Sequence, residues 1–236
     1  MADPVQHVAS LLSGLTQPDT ETIRHAEAQL KPILKDPSCM QVLWQIIEGS
    51  NDVAVRQVAA IVLRKRISGH FAQWNAGDQQ AWQQRVLQAV LHEQVRPVKT
   101  GLIAVAAMLF TTPNPIILQF LEQTANNPDP KTRELCFLLL KEMTESIGTH
   151  WKEHVHALFH LFSGVLQKPE DGAVQKAAVT ALGQLLSFWC EDAELQVISP
   201  LLPNLLQVSA HHNDEDVLRS VLDVLYDLAY STSTGL

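Results

Sequence analysis

The sequence has few of the features that mark secreted, membrane or metal-binding proteins. Its three cysteines, Cys39, Cys136 and Cys190, are too far apart to form a metal-binding motif. The first residues lack the basic start and small-residue cleavage site of a signal peptide, so we expect a reducing compartment and three buried, unpaired thiols. The longest uncharged apolar stretches, such as 101–110, are far shorter than the roughly 20 residues of a membrane span. We therefore expect no membrane partner.

Signals for β-strands and for catalysis are also scarce. We find no convincing period-two alternation of apolar residues and no Asn-Gly or Asp-Gly turn. A glycine-rich phosphate loop, a Gly-x-Ser-x-Gly elbow and a His-Glu-x-x-His helix are all missing. His150, His154, His156 and His160 have zinc-like spacing, but the two i, i+4 pairs would point in different directions on a helix. We expect an all-α protein that is not an enzyme and holds no metal ion or cofactor.

Apolar residues make up 46% of the chain, and its abundant Leu, Ala, Val and Gln favour helices. The charge is uneven, because residues 1–118 carry a net +1 and residues 119–236 carry −9. The acidic second part argues against direct binding of nucleic acid and would attract a basic partner. The alternative is that the excess carboxylates only keep a helical protein in solution.

One pattern recurs six times along the chain: an acidic residue, then a basic residue three to five positions later, then an apolar helix. The basic markers are Arg24, Arg56, Arg96, Arg133, Lys176 and Arg219. Their steps of 32, 40, 37, 43 and 43 residues are typical of two-helix HEAT repeats. We predict an all-α, right-handed α-solenoid of about six HEAT repeats.

The helix pairs of this solenoid are separated by short connections rich in proline and asparagine. We predict helices at 3–15 with 19–35, 39–49 with 52–69, 76–92 with 95–111, 114–126 with 130–148, 151–167 with 171–189, and 192–208 with 214–231. Pro32, Pro200 and Pro203 should kink or divide their helices. Since no long linker interrupts the pattern, we expect residues 1–236 to form one array. The last pair lacks a polar cap, so we expect a longer native chain of which this is the N-terminal piece.

The stretch from Asp52 to Trp74 is the clearest copy of the pattern. Asp52 is a helix cap, and a buried apolar stripe is expected to follow it. That stripe is made of Val55, Val58, Ala59 and Val62. At 100° per residue, an exposed line lies on the opposite side of the helix. That line is made of Gln57, Ile61, Arg64 and Ser68.

Residues 26–74 resemble the N-terminal domain of the importin-β family of nuclear transport receptors, the karyopherins. The family pattern Ala-Glu-x-x-Leu is matched at 26–30, and Arg-Gln-x-Ala-Ala-Ile-x-Leu at 56–63, with Trp74 further on. The Lys-Asn pair that follows in the family is Arg64-Lys65 here. This basic variant, followed by Arg66, looks more like the importin-4 branch, as does the helix at 134–146.

The resemblance implies a nuclear transport receptor that forms a superhelix, with the second helix of each pair on its concave side. The N-terminal repeats are expected to bind Ran-GTP. Cargo is expected to bind on the concave surface and to be released when Ran-GTP binds. The resemblance implies contact of Ran with Gln57, Ile61, Arg64, Lys65, Arg66 and Ser68. The alternative for this basic patch is a helix end whose charges only keep the protein in solution. The resemblance also implies basic cargo such as histones and ribosomal proteins, Phe-Gly nucleoporins on outer helices, and shuttling between cytoplasm and nucleus.

For the cargo, we predict acidic stripes on two of the later helices. Asp216, Asp223 and Asp227 share one helical face. The apolar face of the same helix is predicted to consist of Val217, Val221, Val224 and Leu228. Glu134 and Glu145 form a weaker version of the acidic pattern. An ordinary solvated face is the alternative for both sets. The alternative for the whole chain is a static HEAT-repeat scaffold in a phosphatase or a chromosome-associated complex, which has the same period but lacks the segment from Ala26 to Trp74.

Overall fold

The computed structural model describes residues 3–167, 172–188, 196–211 and 214–233. These ranges contain twelve α-helices with defined bounds, a further α-helical stretch at 196–198 and no β-strand, which confirms the all-α prediction. The helices are α1 (Pro4–Gly14), α2 (Thr20–Ile33), α3 (Cys39–Gly49), α4 (Val53–Phe71), α5 (Ala76–His92), α6 (Arg96–Leu109), α7 (Pro115–Ala125), α8 (Pro130–Ile147), α9 (Val155–Leu166), α10 (Gly172–Leu186), α11 (Leu202–His211) and α12 (Glu215–Ser233). None of the helices in the described ranges is long and apolar enough to cross a membrane.

The acidic residues of the repeated pattern begin its second helices by capping them. The carboxylate of Asp19 accepts a hydrogen bond from the Thr22 amide at 2.8 Å, and that of Asp52 accepts one from the Ala54 amide at 2.9 Å. Asp129 and Asp214 cap α8 and α12 in the same way. These bonds satisfy amides that have no partner inside the helix. Asp171, the acidic residue of the fifth copy, lies outside the described residues.

The prolines that were predicted to kink or divide helices lie at or near helix ends. Pro32 lies in the last turn of α2, which ends one residue later at Ile33, so the helix is shorter than the predicted 19–35. Pro32 has no N–H to donate to the carbonyl of Ala28, so the last turn of α2 lacks one backbone hydrogen bond. Pro200 lies in a 3-10 turn, Ser199–Leu201, that precedes α11, and this confirms the predicted division of that helix. The predicted helix 151–167 also begins differently, because Gly148–His154 is a 3-10 helix and α9 starts only at Val155.

The helices form two compact units, Met1–Leu109 with α1 to α6 and Phe110–Leu236 with α7 to α12. Within each unit, every first helix packs on the second helix of its pair. Second helices also pack on second helices, α4 on α6 in the first unit, and α8 on α10 and α10 on α12 in the second. First helices pack likewise, α1 on α3, α7 on α9 and α9 on α11. Each unit is therefore a two-layered stack of helix pairs, and the single array over residues 1–236 stays a prediction.

In the first unit, the buried face of α4 is turned slightly from its predicted position. Val55 and Ala59 are buried as predicted, whereas Val58 and Val62 are half-buried. Ala60 and Leu63 are fully buried instead. The reason is tertiary, because α4 also packs against α6. A Cβ atom added to Gly101 of α6 would lie 2.8 Å from the Cβ of Ala60, so the two helices meet at a point that has room only for glycine.

An aromatic row joins α3 and α5 in the first unit. The ring of Trp82 lies 5.4 Å from the ring of Trp44 and 5.4 Å from that of Trp74, measured between centroids. The Arg85 guanidinium stacks 4.9 Å from the Trp44 centroid and forms a 2.7 Å ion pair with Glu48. These contacts make the three tryptophans packing residues between helices.

The second unit buries the residues that its sequence pattern placed in the core. Val217, Val221, Val224 and Leu228 make up the buried apolar face of α12, as predicted. Two of the three cysteines, Cys39 in the first unit and Cys136 here, are also buried, and Cys190 lies outside the described residues. Burial raises the pKa of the Cys136 thiol to about 12 and also raises that of Cys39. Both behave as small apolar residues and not as reactive thiols.

Candidate partner-binding surfaces

An exposed ridge runs along α4 in the first unit, on the side of the helix away from its core. We call Gln57, Ile61, Arg64 and Ser68 the α4 ridge. Ile61 is 42% exposed, Arg64 and Ser68 are exposed, and Gln57 is half-buried. A large aliphatic side chain between polar neighbours, open to solvent on a helix, is a common centre for a protein contact. The structure thus brings together the residues that the sequence placed on one line.

Arg56, next to this ridge in sequence, faces inward and holds α4 in place. Its Nε donates a 2.7 Å hydrogen bond to the carbonyl of Ile47 near the end of α3, and its guanidinium forms an ion pair with Glu93. The other carboxylate oxygen of Glu93 accepts a 2.8 Å hydrogen bond from the Val95 amide just before α6. One side chain therefore connects three helices of the first unit. This is the local reason that the ridge has a defined orientation.

The basic triplet does not form one patch. Arg64 belongs to the α4 ridge and Lys65 borders it, but Arg66 is rotated about 160° from Arg64 on the helix. Burial and the carboxylate of Asp36 raise the pKa of the Cys39 thiol, and the positive charge of Arg66 opposes that rise. Arg66 therefore lies near the connection between α2 and α3, on a different side of α4 from Ile61.

The predicted acidic stripe of α12 is partly neutralised at its start. Lys176 of α10 forms ion pairs of 3.1 Å with Asp216 and 3.3 Å with Asp214. These contacts raise the pKa of Lys176, and backbone and lysine hydrogen bonds lower that of Asp214. Asp223 is exposed. The side chain of Asp227 lies outside the part of the chain that is described.

The second acidic set lies on α8. Glu145 is exposed and Glu134 is half-buried, and Leu138 between them is 37% exposed. Both α8 and α12 pack against α10. The two acidic sets therefore lie on either flank of α10 and do not merge into one stripe.

A groove between α7 and α9 was not predicted from the sequence. It has a volume of about 440 Å³, and apolar side chains from both helices line it. They include Leu118, Leu121 and Ala125 from α7, and Ala157 and Leu161 from α9, and the backbone of Gly164 also lines the groove. A Cβ atom added to Gly164 would meet no atom within 4 Å, so this side of the groove is open. Grooves of this kind between packed helices accept large apolar side chains.

His154 and His160, two of the four clustered histidines, line this groove at its polar edge. The described residues hold no group of three or more His, Cys, Asp or Glu that could bind a metal ion. The groove could not be recognised from the sequence, because the pattern of each helix does not show which helix lies opposite.

Comparison with known protein families agrees with this arrangement. The model described as "Importin-beta N-terminal domain" matches residues 26–106, which lie in the first unit and include the α4 ridge. The model described as "IPO5-like, TPR repeats" matches residues 111–236, which is more than half of the chain and lies in the second unit.

Curated relatives and solved structures are longer than this chain. Importin-4 of Mus musculus and of Homo sapiens are each 28% identical over 160 residues, which are 66% of this chain and 15% of each relative. Kap121p bound to RanGTP superposes with a TM-score of 0.77 at 20% identity, over 97% of this chain and 22% of that one. Kap121p bound to Nup53p gives 0.74 at 19% identity, over 96% and 23%. These likenesses in structure confirm the α-solenoid fold class, and the family models establish that the chain belongs to the importin-β family of nuclear transport receptors.

Proposed function

We propose that this chain binds Ran-GTP through the α4 ridge and its neighbour Lys65. The observation that carries the proposal is the ridge itself, a largely exposed line of apolar, polar and basic side chains inside the segment that matches the importin-β N-terminal domain. The fold is shared with Kap121p, which has been solved in complex with RanGTP. Arg66, although part of the sequence-based set, lies on another side of α4 and would contribute through its charge.

The same proposal assigns the acidic flanks of α10 to basic cargo such as histones and ribosomal proteins. Positive charges on the cargo would be attracted to Asp216, Asp223 and Glu145, which are exposed. Binding of Ran-GTP and of cargo would oppose each other, and this coupling must act equally in both directions. A receptor that works in this way moves between cytoplasm and nucleus and needs no catalytic group.

We further assign the α7–α9 groove to the Phe-Gly segments of nucleoporins. Its apolar lining and its volume of about 440 Å³ suit one or more phenylalanine rings. Kap121p, which has the same fold, has been solved with the nucleoporin Nup53p. Gly164 leaves space for a ring to approach the α9 backbone closely.

The first experiment is a titration of the chain with Ran loaded with GTP or with GDP. We expect a marked preference for the GTP form. Ile61→Ala and Arg64→Ala should each weaken it by roughly tenfold, the loss typical of a central contact. Arg219→Ala is the matched control, because Arg219 is an exposed cation on α12 and should have no effect. Equal affinity for both nucleotide states would favour the alternative of a static scaffold.

The cargo proposal is tested with a histone tail peptide. Changing Asp216 and Asp223 to serine should weaken binding, and the loss should shrink at high salt because the attraction is screened. The control changes Glu21 and Glu27, two exposed carboxylates of α2, to serine and alters the net charge equally. If both double variants bind the tail alike, the acidic flanks are ordinary solvated surface.

The nucleoporin proposal is tested by filling the groove. A Cβ added at Gly164 meets no atom within 4 Å. Gly164→Leu should therefore retain folding, extend its side chain into the groove and abolish binding of a Phe-Gly peptide. Gly69→Leu is the control, since Gly69 also has nothing within 4 Å of an added Cβ but lies on α4. If Gly164→Leu bound the peptide as well as the parent chain does, the α7–α9 groove would not be the binding site for Phe-Gly segments.

A further inference from the structure

Ser68 follows a run of three consecutive basic residues and is separated from the last of them by one residue. Arg64, Lys65 and Arg66 precede it and Ile67 separates it from them, and no other serine or threonine in the sequence follows such a run. Protein kinases choose substrates by patterns of charge near the acceptor hydroxyl. A cluster of cations two to four residues before a serine is the pattern that kinases with an acidic substrate groove select.

The structure places this serine on the surface where a modification would have an effect. Ser68 is exposed and lies on the α4 ridge, two turns after Ile61 and one turn after Arg64. Side chains three and four positions apart are neighbours on a helix. An anion on Ser68 would therefore lie beside both Arg64 and Lys65.

We propose that Ser68 is a phosphorylation site for a kinase that selects basic sequences, and that phosphate there switches off the partner surface of the α4 ridge. The serine oxygen attacks the γ-phosphorus of ATP, the bond from that phosphorus to the bridging oxygen breaks, and ADP leaves while the hydroxyl proton is released. The proposal that the site is modified stands by itself. Its effect on Ran-GTP rests on the proposed function.

The effect of the phosphate follows from charge and position. A phosphoserine adds a charge of about −1.5 to −2 near neutral pH. It would pair with Arg64 and Lys65, which takes both cations away from a partner. The α4 helix contains no acidic residue, so its ridge would change from positive to negative or neutral. A partner that recognises a positive ridge would then meet a repulsive one.

Access to the hydroxyl depends on the end of the helix. Ser68 lies three residues before Phe71, the last residue of α4, and is followed by Gly69, a residue type that weakens helices. Ile67 and Phe71 are buried, so the kinase must act when the last turns open locally. We therefore expect the folded chain to be modified more slowly than a free peptide of residues 60–72.

The test uses the purified chain, the catalytic subunit of the cyclic-AMP-dependent kinase and magnesium ATP, with site assignment by mass spectrometry. We expect close to one phosphate per chain on Ser68, lost in Ser68→Ala and kept in Ser220→Ala. Ser220 is the control because it follows a single cation, Arg219, and its hydroxyl donates to the Asp216 carbonyl at 2.9 Å. A peptide that is modified while the folded chain stays unmodified for hours would overturn the site.

The switch is then measured by titrating phosphorylated and unmodified chain with Ran-GTP. We expect phosphate to weaken binding at least tenfold. The affinity of Ser68→Ala for Ran-GTP should be the same before and after treatment with kinase. If Ser68 is phosphorylated and the affinity for Ran-GTP does not change, the switch is overturned. If the unmodified chain does not bind Ran-GTP, the proposed function fails, and the phosphate stoichiometry still decides the modification site.

Discussion

The two units share one kind of hydrogen bond between the helices of a pair, but their exposed surfaces differ. Arg56 in the first unit donates to the Ile47 carbonyl at 2.7 Å, and Arg133 in the second donates to the Asn127 carbonyl at 2.7 Å. Gln175, in the next pair of the second unit, reaches the Leu166 carbonyl at 3.5 Å. In each case, a long polar side chain near the start of a second helix bonds the backbone at the end of the preceding helix. This explains why Arg56 and Arg133 mark their copies of the pattern. In the fifth copy, Gln175 makes the contact in place of the marker Lys176.

The exposed surfaces of the second helices have opposite charge in the two units. The first unit presents α4, which carries Arg64 and Lys65 beside the exposed Ile61. The second unit presents carboxylates on both flanks of α10, with an ion pair from Lys176 at one end. Positions that face inward are constrained by packing and hydrogen bonds, whereas those that face outward can carry either charge. One repeated fold can therefore serve partners of opposite charge.

We expect the largest loss of stability when Arg56 is replaced, because it joins the helices of the first unit. Arg56→Ala leaves the Glu93 carboxylate, which is 8% exposed, without its cation. The free energy of unfolding should fall by about 3 kcal/mol, as when one partner of a buried ion pair is removed. Urea denaturation measures this loss. The double variant with Glu93→Gln should lose clearly less than the sum of the two single changes, and strict additivity would show that the pair is not coupled.

Glycines at two places in the fold should respond in opposite directions to alanine. Gly101→Ala places a Cβ 2.8 Å from that of Ala60 and should destabilise the first unit by about 1–3 kcal/mol. Gly164→Ala meets nothing within 4 Å and should stabilise α9 by about 0.5–1 kcal/mol, the ordinary preference of a helix for alanine. Thermal unfolding of both variants checks the contrast. Equal shifts in the same direction would mean that α4 and α6 can separate at little cost.

Arg64→Ala should change the free energy of unfolding by less than about 0.5 kcal/mol, because Arg64 is an exposed residue on the helix surface. It is the same residue type as Arg56 and lies on the same helix, two turns later. Urea denaturation of the two variants side by side therefore distinguishes an arginine that stabilises the helix packing from one that lies on the exposed surface. A loss for Arg64→Ala that approached the loss for Arg56→Ala would show that the ridge is itself part of the scaffold.

The smallest expected effect is on the pH dependence of stability. A hydrogen bond from Thr132 lowers the pKa of Asp129 below its usual value of 3.8. The cap therefore stabilises the fold fully above about pH 5, and this contribution is lost as the pH falls through the lowered pKa. Asp129→Asn keeps a capping side chain that does not titrate. Its stability relative to the parent chain should be constant from pH 7 to 5 and should improve below pH 4, as measured by denaturation across that range.

Most helix positions were predictable because their signals are local. Asp19, Asp52 and Asp129 cap the helices that they were predicted to begin. The apolar face of α12 was correct for the same reason, since a helical period of 3.6 requires no knowledge of the neighbouring helix. Predictions that depended on a neighbour were less accurate. The buried face of α4 was shifted because α6 packs against it.

The surfaces show the same division between local and tertiary information. Ile61, Arg64 and Ser68 were recognisable as one line from their spacing, whereas the α7–α9 groove was not, because Leu121 and Leu161 are 40 residues apart. The pairing of Lys176 with Asp216, which reduces the charge of the predicted stripe, also joins two helices 40 residues apart.

The sequence by itself determined the all-α class, the repeat of about 40 residues, the capped starts of the second helices and the membership of the importin-β family. These follow from caps, apolar periodicity and a motif, all of which act within a few turns of chain. Only the tertiary structure decided which charges are paired, which residues of α4 are fully buried and where a groove forms. Those features depend on distances between helices that the chain brings together only when both layers pack.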